Sequence, residues 1–465
     1  MRSDQAEGGE GGLDLRGIAS RRRTIRIMND IAALHRELDP LRPLDENDDA
    51  LYVDWQRELD PGVVDIKSRL VRAFVRNATP ERPITRLLTG HKGSGKTTEL
   101  NRVSSQLRSG MDAEKVFVST LFAQEWLDIE DVQPEDLVLQ IVRQLVADLD
   151  QAGMSLGPQR FTSALGSLWE RVKSIRPESA DIGIDPLSFS FALKDFPSAR
   201  ADFREVLRGQ LPTVFDLVNR ELLPAARKHL KGDGYDDLVL IVDDLDKIPQ
   251  KVLSDQGLTN HENLFLDNAA TLRAINCSLL LTIPIELAYS PAQGRLRDDY
   301  GASIVTVPLI SVAGRDGRDI PAGEAALTEI LGRRARQAFG EDSADAIESV
   351  GKIFASGELL RRVVRLSGGH VRSLLVLVTE MLDWVDDLPI TSETVDRYVS
   401  RQAKDLARGL SATDKEILHE VERTKEAAED PLFFDMLRNL YIFAYEAGTE
   451  EYWYGLNPLL REIAL

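Results

Sequence analysis

Between Leu87 and Leu100 the chain reads LLTGHKGSGKTTEL. The pattern G-x-x-x-x-G-K-[ST] is filled by Gly90, Gly95, Lys96 and Thr97, behind apolar residues and ahead of a run with helical character. Strand, glycine-rich loop and helix in that order leave few ways to fold, and an α/β core is expected in which the loop follows a strand of a parallel sheet. Glycines at 90, 93 and 95 permit backbone angles closed to other residues, so successive N–H groups can turn toward one anion. The following helix aims its positive end at the same place. His91, Lys92, Ser94 and Thr98 complete the stretch expected to surround phosphates. Lys96 is expected to reach the β- and γ-phosphates, and Thr97 to take a place on Mg²⁺.

A chain of 465 residues has room for two or three domains. No apolar run is long enough to cross a bilayer and no apolar core follows the N-terminal charges, so a cytoplasmic protein without a membrane partner is expected. A single cysteine, Cys277, rules out an intrachain disulfide and a cysteine-based metal site. The net charge of −19 repels nucleic acid at long range, which disfavours it as a partner, although a local basic patch could still bind it.

Residues 1–20 are Gly- and Glu-rich and are expected to be a disordered tail, with a short basic run at Arg21, Arg22 and Arg23. From Asp60, Val63, Val64, Ile66, Leu70, Val71 and Phe74 recur at helical spacing, and this helix is expected beside the nucleotide strand, walling the adenine. KVFVSTLFA reads as a strand and PEDLVLQIVRQLVADL as an amphipathic helix. Alternating apolar residues from Ile182 to Leu193 suggest a small hairpin inside an insertion near 155–230, with helix returning from Ala199 to Leu230. The expected division is an α/β core over 21–310, a helical region over 311–400 and a small C-terminal domain over 401–465.

Residues 238–248, LVLIVDDLDKI, describe a buried strand ending in acids at its carboxyl edge, where open parallel sheets bind ligands. Asp243 is expected to hold the Mg²⁺ shell and Asp244 to orient or deprotonate the attacking water.

A phosphate loop followed by this acidic strand resembles the additional-strand P-loop ATPases, the group that contains AAA+ and STAND proteins. The resemblance implies ATP and Mg²⁺ as cofactors, hydrolysis to ADP, expected to be slow because the second acid is Asp244 rather than Glu, and a homo-oligomer. It also implies a polar sensor, Thr282, at the end of NCSLLLT, and a lid arginine, Arg372 in RLSGGHVRSLLVL, that reaches the γ-phosphate. Arg295 and Arg297, and more weakly Arg273, stand where an arginine finger for a neighbouring subunit would be sought. Two departures leave the subfamily open. The second acid is Asp rather than Glu, and Gly369 is followed by His370 and Val371 where STAND lids carry GxP. No N-K-x-D motif follows the acidic strand, which disfavours GTP.

After Ser411, two amphipathic helices and a β-like pair, YIFAY and YWYGL, resemble the winged helix of origin-recognition-type ATPases. A DNA-reading version would present Lys and Arg. This one offers Phe433, Phe434, Asp435 and a single Arg438, with Glu446, Glu450 and Glu451 at the wing, and its aromatic residues are expected to form the hairpin core. The leading reading is an ATP-dependent conformational or oligomerisation switch that engages a separate effector or regulator protein; by resemblance, such proteins sit in bacterial defence or stress modules. The alternative is a DNA-associated loader, initiator or transposition regulator, and a third reading is a nucleotide-holding scaffold without useful hydrolysis.

Overall fold

The computed structural model describes residues 30–463, apart from 46, 60–64, 112–113, 155–162, 164–196, 256, 342–344 and 448–450. The expected tail, the basic run at 21–23, Val63, Val64 and the hairpin at 182–193 lie outside the described residues.

Five strands form the central sheet: β1 (Thr85–Thr89), β2 (Val116–Phe122), β3 (Asp237–Asp243), β4 (Ser278–Thr282) and β5 (Val305–Thr306). Their order is β2-β3-β4-β1-β5 and every pair is parallel. β4 is therefore the added strand, inserted between the phosphate-loop strand and the acidic strand. The run DLVLIVD of β3 is apolar on both faces because both faces are covered. Leu238, Leu240 and Val242 enter one core, while Val239 and Ile241 enter the other, as the two-residue strand period requires.

The first core receives Leu137, Val138 and Leu145 from α3 (Pro134–Gln151) and Leu207, Leu211 and Val214 from α4 (Pro197–Leu217). The second receives Ile66, Leu70, Val71 and Phe74 from α1 (Ile66–Asn77) and Leu100, Val103 and Leu107 from α2 (Lys96–Ser109). Arg200 and Arg204 of α4 bridge to Asp128, Asp131 and Asp136 at the start of α3, tying the insertion to the sheet layer. A short helix, α5 (Gln293–Tyr300), follows β4.

Beyond the sheet, α6 (Pro321–Phe339), α7 (Gly357–Leu366), α8 (Val371–Leu382) and α9 (Ser392–Ala407) share one apolar cluster. Leu34, Leu38 and Val53 belong to that cluster too. The stretch 30–55, assigned from sequence to the ATPase core, thus packs with the lid helices.

The C-terminal unit consists of α10 (Ala412–Thr424), α11 (Leu432–Arg438) and the antiparallel pair β6 (Ile442–Ala447) and β7 (Glu451–Leu456), with Ile442 opposite Leu456. Its cluster includes Ile285 from the region just after β4. Phe443, Tyr445 and Trp453 are buried, the last two with rings stacked 4.1 Å apart. Aromatic packing therefore forms the hairpin's interior, while Tyr452 stays exposed. Among the described residues no helix is long and apolar enough to cross a membrane.

Candidate nucleotide-binding site

The loop between β1 and α2 folds as its glycines permit. Gly90 has φ 147° and a Cβ there would stand 2.6 Å from the Val307 carbonyl oxygen; at Gly93, with φ 100°, it would stand 2.7 Å from Arg372 Cβ. Only glycine fits either position. The loop borders a cleft of about 380 Å³ between the sheet and the lid, which also touches Thr97, Asp244, Asp246, Arg334 and Arg372. Ser94 in the loop is buried, and its hydroxyl has no partner among the described residues.

Thr97 Oγ1 donates to Asp243 Oδ2 at 2.7 Å, so the loop and the acidic strand meet through the two residues expected to hold a metal ion. Burial, assisted by the nearby Asp246, pushes the Asp243 carboxyl up to about 6. A buried carboxylate beside other acids, bonded by one hydroxyl and one backbone amide and by no cation, has the hard-oxygen chemistry that suits Mg²⁺. No group of three His, Cys, Asp or Glu suited to a metal occurs among the described residues, so phosphate and water oxygens would complete the shell.

Asp244 occupies the left-handed region at φ 68°, which is costly for a residue with a Cβ. Its amide donates to Asp243 Oδ1 at 2.7 Å and its own carboxylate pairs with Lys247 at 2.7 Å. Thr282 does not line the cleft. It is fully buried, and its hydroxyl accepts the Leu245 amide at 3.1 Å. Its contact with the acidic turn is thus to the backbone, at Leu245.

Lys96 meets Asp246, the third acid of DDLD, at 2.9 Å, with both side chains 6% exposed. Sequence reasoning passed over Asp246 because it falls in a one-turn 3₁₀ segment after the strand, Leu245–Lys247.

The lid side is different in kind. The amide of Arg372 donates to the Gly93 carbonyl at 3.4 Å and its Nε to the Pro40 carbonyl at 3.0 Å. Arg334 of α6, also missed from sequence, is 6% exposed and bonds only the Ile330 carbonyl of its own helix, at 3.1 Å. It has no ion-pair partner among the described residues, and burial pushes its guanidinium down to about 10.

The expected adenine wall is corrected by the structure. α1 buries its apolar face against the sheet, and none of its residues reaches the cleft. Pro40, Leu44, Leu51, Val53 and Trp55 line the cleft instead, joined by Ile330 and Leu375 from the lid. This segment is fastened to α2: the Leu44 amide donates to Thr98 Oγ1 at 3.1 Å, and Tyr52 donates to Glu99 at 2.8 Å beneath the Arg102 guanidinium. Thr98 thereby spends its hydroxyl on the chain. Arg295 and Arg297 are exposed on α5, Arg295 paired with Asp267 at 2.9 Å, and neither lines the cleft. Arg273 bonds the Asp299 carbonyl.

The outer side of the loop is held by the C-terminal half of the chain. His370 caps α8, accepting the Ser373 amide on Nδ1, so its Nε2 carries the proton and donates to the Lys92 carbonyl at 3.0 Å. Burial pushes this imidazole down to about 3. His91 turns away from the cleft, and its Nε2 accepts the Ala444 amide of β6 at 2.8 Å. Burial first, then His370 and Lys96, hold it neutral, well below the usual histidine range. Phe443 lies against both imidazoles.

Strand order β2-β3-β4-β1-β5, a phosphate loop after β1 and paired acids after β3 define a P-loop nucleotide-triphosphatase fold of the added-strand arrangement. No protein-family model matches the chain, and no curated protein matches it. Among solved structures, a Walker-type ATPase of Pyrococcus abyssi is similar with a TM-score of 0.40 and 16% identity, covering 91% of this chain and 98% of that one. The Drosophila ORC bound to DNA gives a TM-score of 0.35 at 14% identity over 90% and 91% of the two chains. The Aeropyrum pernix ORC2 protein, in ADPNP and ADP complexes, gives 0.37 at 14% identity over 87% and 93%.

Proposed function

We propose that the chain binds magnesium ATP in this cleft, hydrolyses it slowly, and uses the nucleotide state to change how its C-terminal units grip the phosphate loop, so that a partner protein or a second copy is engaged. The carrying observation is the grip itself. His370 bonds the Lys92 carbonyl, Arg372 the Gly93 carbonyl, and His91 the Ala444 amide of β6. One face of the loop must accommodate phosphates while the other is bonded to the lid and the hairpin, so a rearrangement on one side biases the other.

Within that cycle the loop amides, Ser94 and Lys96 hold the phosphates, and the apolar wall from Pro40 to Trp55 receives the base. Magnesium, held by Thr97 and Asp243, would neutralise charge on the transferring phosphoryl group. Asp244 takes a proton from the attacking water, with Lys247 and the Thr282-anchored turn fixing its carboxylate. Arg372 and Arg334 add positive charge from the lid. Arg295 or Arg297 of an adjacent copy would serve as the finger, which makes turnover depend on assembly.

Calorimetry and a phosphate-release assay test this reading. Wild type is expected to bind ATP, and Lys96→Ala to bind it about tenfold or more weakly, since a charge-assisted contact to phosphate is lost. Release should climb with protein concentration. No release at any concentration would leave a nucleotide-holding scaffold, and tight, steeply salt-dependent DNA binding would favour a nucleic-acid partner instead.

A further inference from the structure

The lysine that should meet phosphate is fully occupied by its own chain. An ammonium has three donors. Lys96 Nζ lies 2.7 Å from the Gly90 carbonyl, 2.9 Å from the His91 carbonyl and 2.9 Å from Asp246 Oδ2. Two of these partners are neutral loop oxygens. The third is an anion, 6% exposed and facing the cleft.

We propose that Asp246 is an internal stand-in for the nucleotide's phosphate: it neutralises Lys96 in the nucleotide-free protein and must be displaced before any phosphate ligand can bind. The inference rests on the nucleotide-binding reading above and goes beyond it by naming what the nucleotide competes with. Binding is then an anion exchange at one buried cation. The carboxylate opposes the incoming phosphate twice, by holding the lysine and by repelling the new charge once released. The device lowers affinity for diphosphate and triphosphate alike, because both need the same lysine. It also keeps a buried lysine from standing unpaired when the cleft is empty, a situation that is strongly destabilising.

Asp246→Asn removes the charge and nearly preserves the shape. In calorimetric titrations it should bind ADP and ATP about tenfold more tightly than wild type, equivalent to about 1.4 kcal/mol, with and without magnesium. The nucleotide-free variant should melt at a lower temperature than wild type, and saturating ADP should restore more of the loss than it adds to wild type. Asp246→Ser repeats the comparison should the Asn variant fold poorly. If wild type binds nucleotide and both variants bind no tighter, the inference is overturned while the binding reading stands; that result would mark Asp246 as a metal or water contact. If neither wild type nor variant binds nucleotide, both fall.

Discussion

The two walls of the cleft treat buried charge in opposite ways. On the sheet side, two of the cations that line the cleft have acids beside them: Lys96 meets Asp246 and Lys247 meets Asp244. On the lid side, Arg334 is as buried as Lys96 yet, among the described residues, its guanidinium meets only a carbonyl of its own helix, the Arg372 guanidinium meets the Pro40 carbonyl, and the more exposed Arg42 pairs with Asp48. A paired buried charge is stable without a ligand, whereas an unpaired one costs several kcal/mol of desolvation in order of magnitude. The buried lysine of the sheet wall is thus paired within the chain, and the buried Arg334 of the lid wall has no ion-pair partner among the described residues. Under the proposed nucleotide-binding reading, an anionic ligand in the cleft would give Arg334 the partner it lacks among the described residues.

The sharpest way to break this contrast is at the sheet wall. Asp244→Asn should keep nucleotide bound while phosphate release falls about a hundredfold or more, the usual scale for removing a general base. Release that survives the change would show that the water is activated elsewhere in the acidic turn. At the lid wall the expected effect is smaller and of two signs. Arg334→Leu should weaken ATP binding by about tenfold, through loss of a charge-assisted contact. The empty protein should melt at the same temperature or higher, since an unpaired buried charge is removed. A lower melting temperature with unchanged ATP affinity would show Arg334 to be structural, and the two walls would then be alike.

Much of the sheet wall was legible in the sequence, and little of the lid wall was. The loop and the acidic strand announce themselves because their chemistry is local: a few consecutive residues must supply amides, a cation and carboxylates at fixed spacing. The strand ending at Thr282 was expected from the resemblance, and the structure pairs it, as β4, with both β1 and β3. Asp246 lay in plain view but read as the tail of a motif, since nothing local shows that a turn aims it at Lys96. Arg334 is hidden in the regular apolar pattern of α6, where one arginine among core positions carries no signal of direction. The cleft wall from Pro40 to Trp55 has no motif at all, because shape and apolarity are its only requirements. His91 was expected among the residues around the phosphates, yet it turns from the cleft to a partner, Ala444, 353 residues away. No short-range pattern encodes such a contact.

That bond is where the account is most exposed. Hydrogen exchange of the Ala444 amide, read from peptides spanning β6, reports directly on whether the hairpin still holds the phosphate loop. The experiment compares nucleotide-free protein with Asp244→Asn protein saturated with magnesium ATP. Exchange in the phosphate loop is expected to slow on binding while Ala444 exchange accelerates in the same sample, because the loop reorganises and the His91 acceptor is withdrawn. A phosphate loop that becomes protected while Ala444 exchanges at an unchanged rate would show that nucleotide and hairpin are not coupled, and the switch reading would be contradicted.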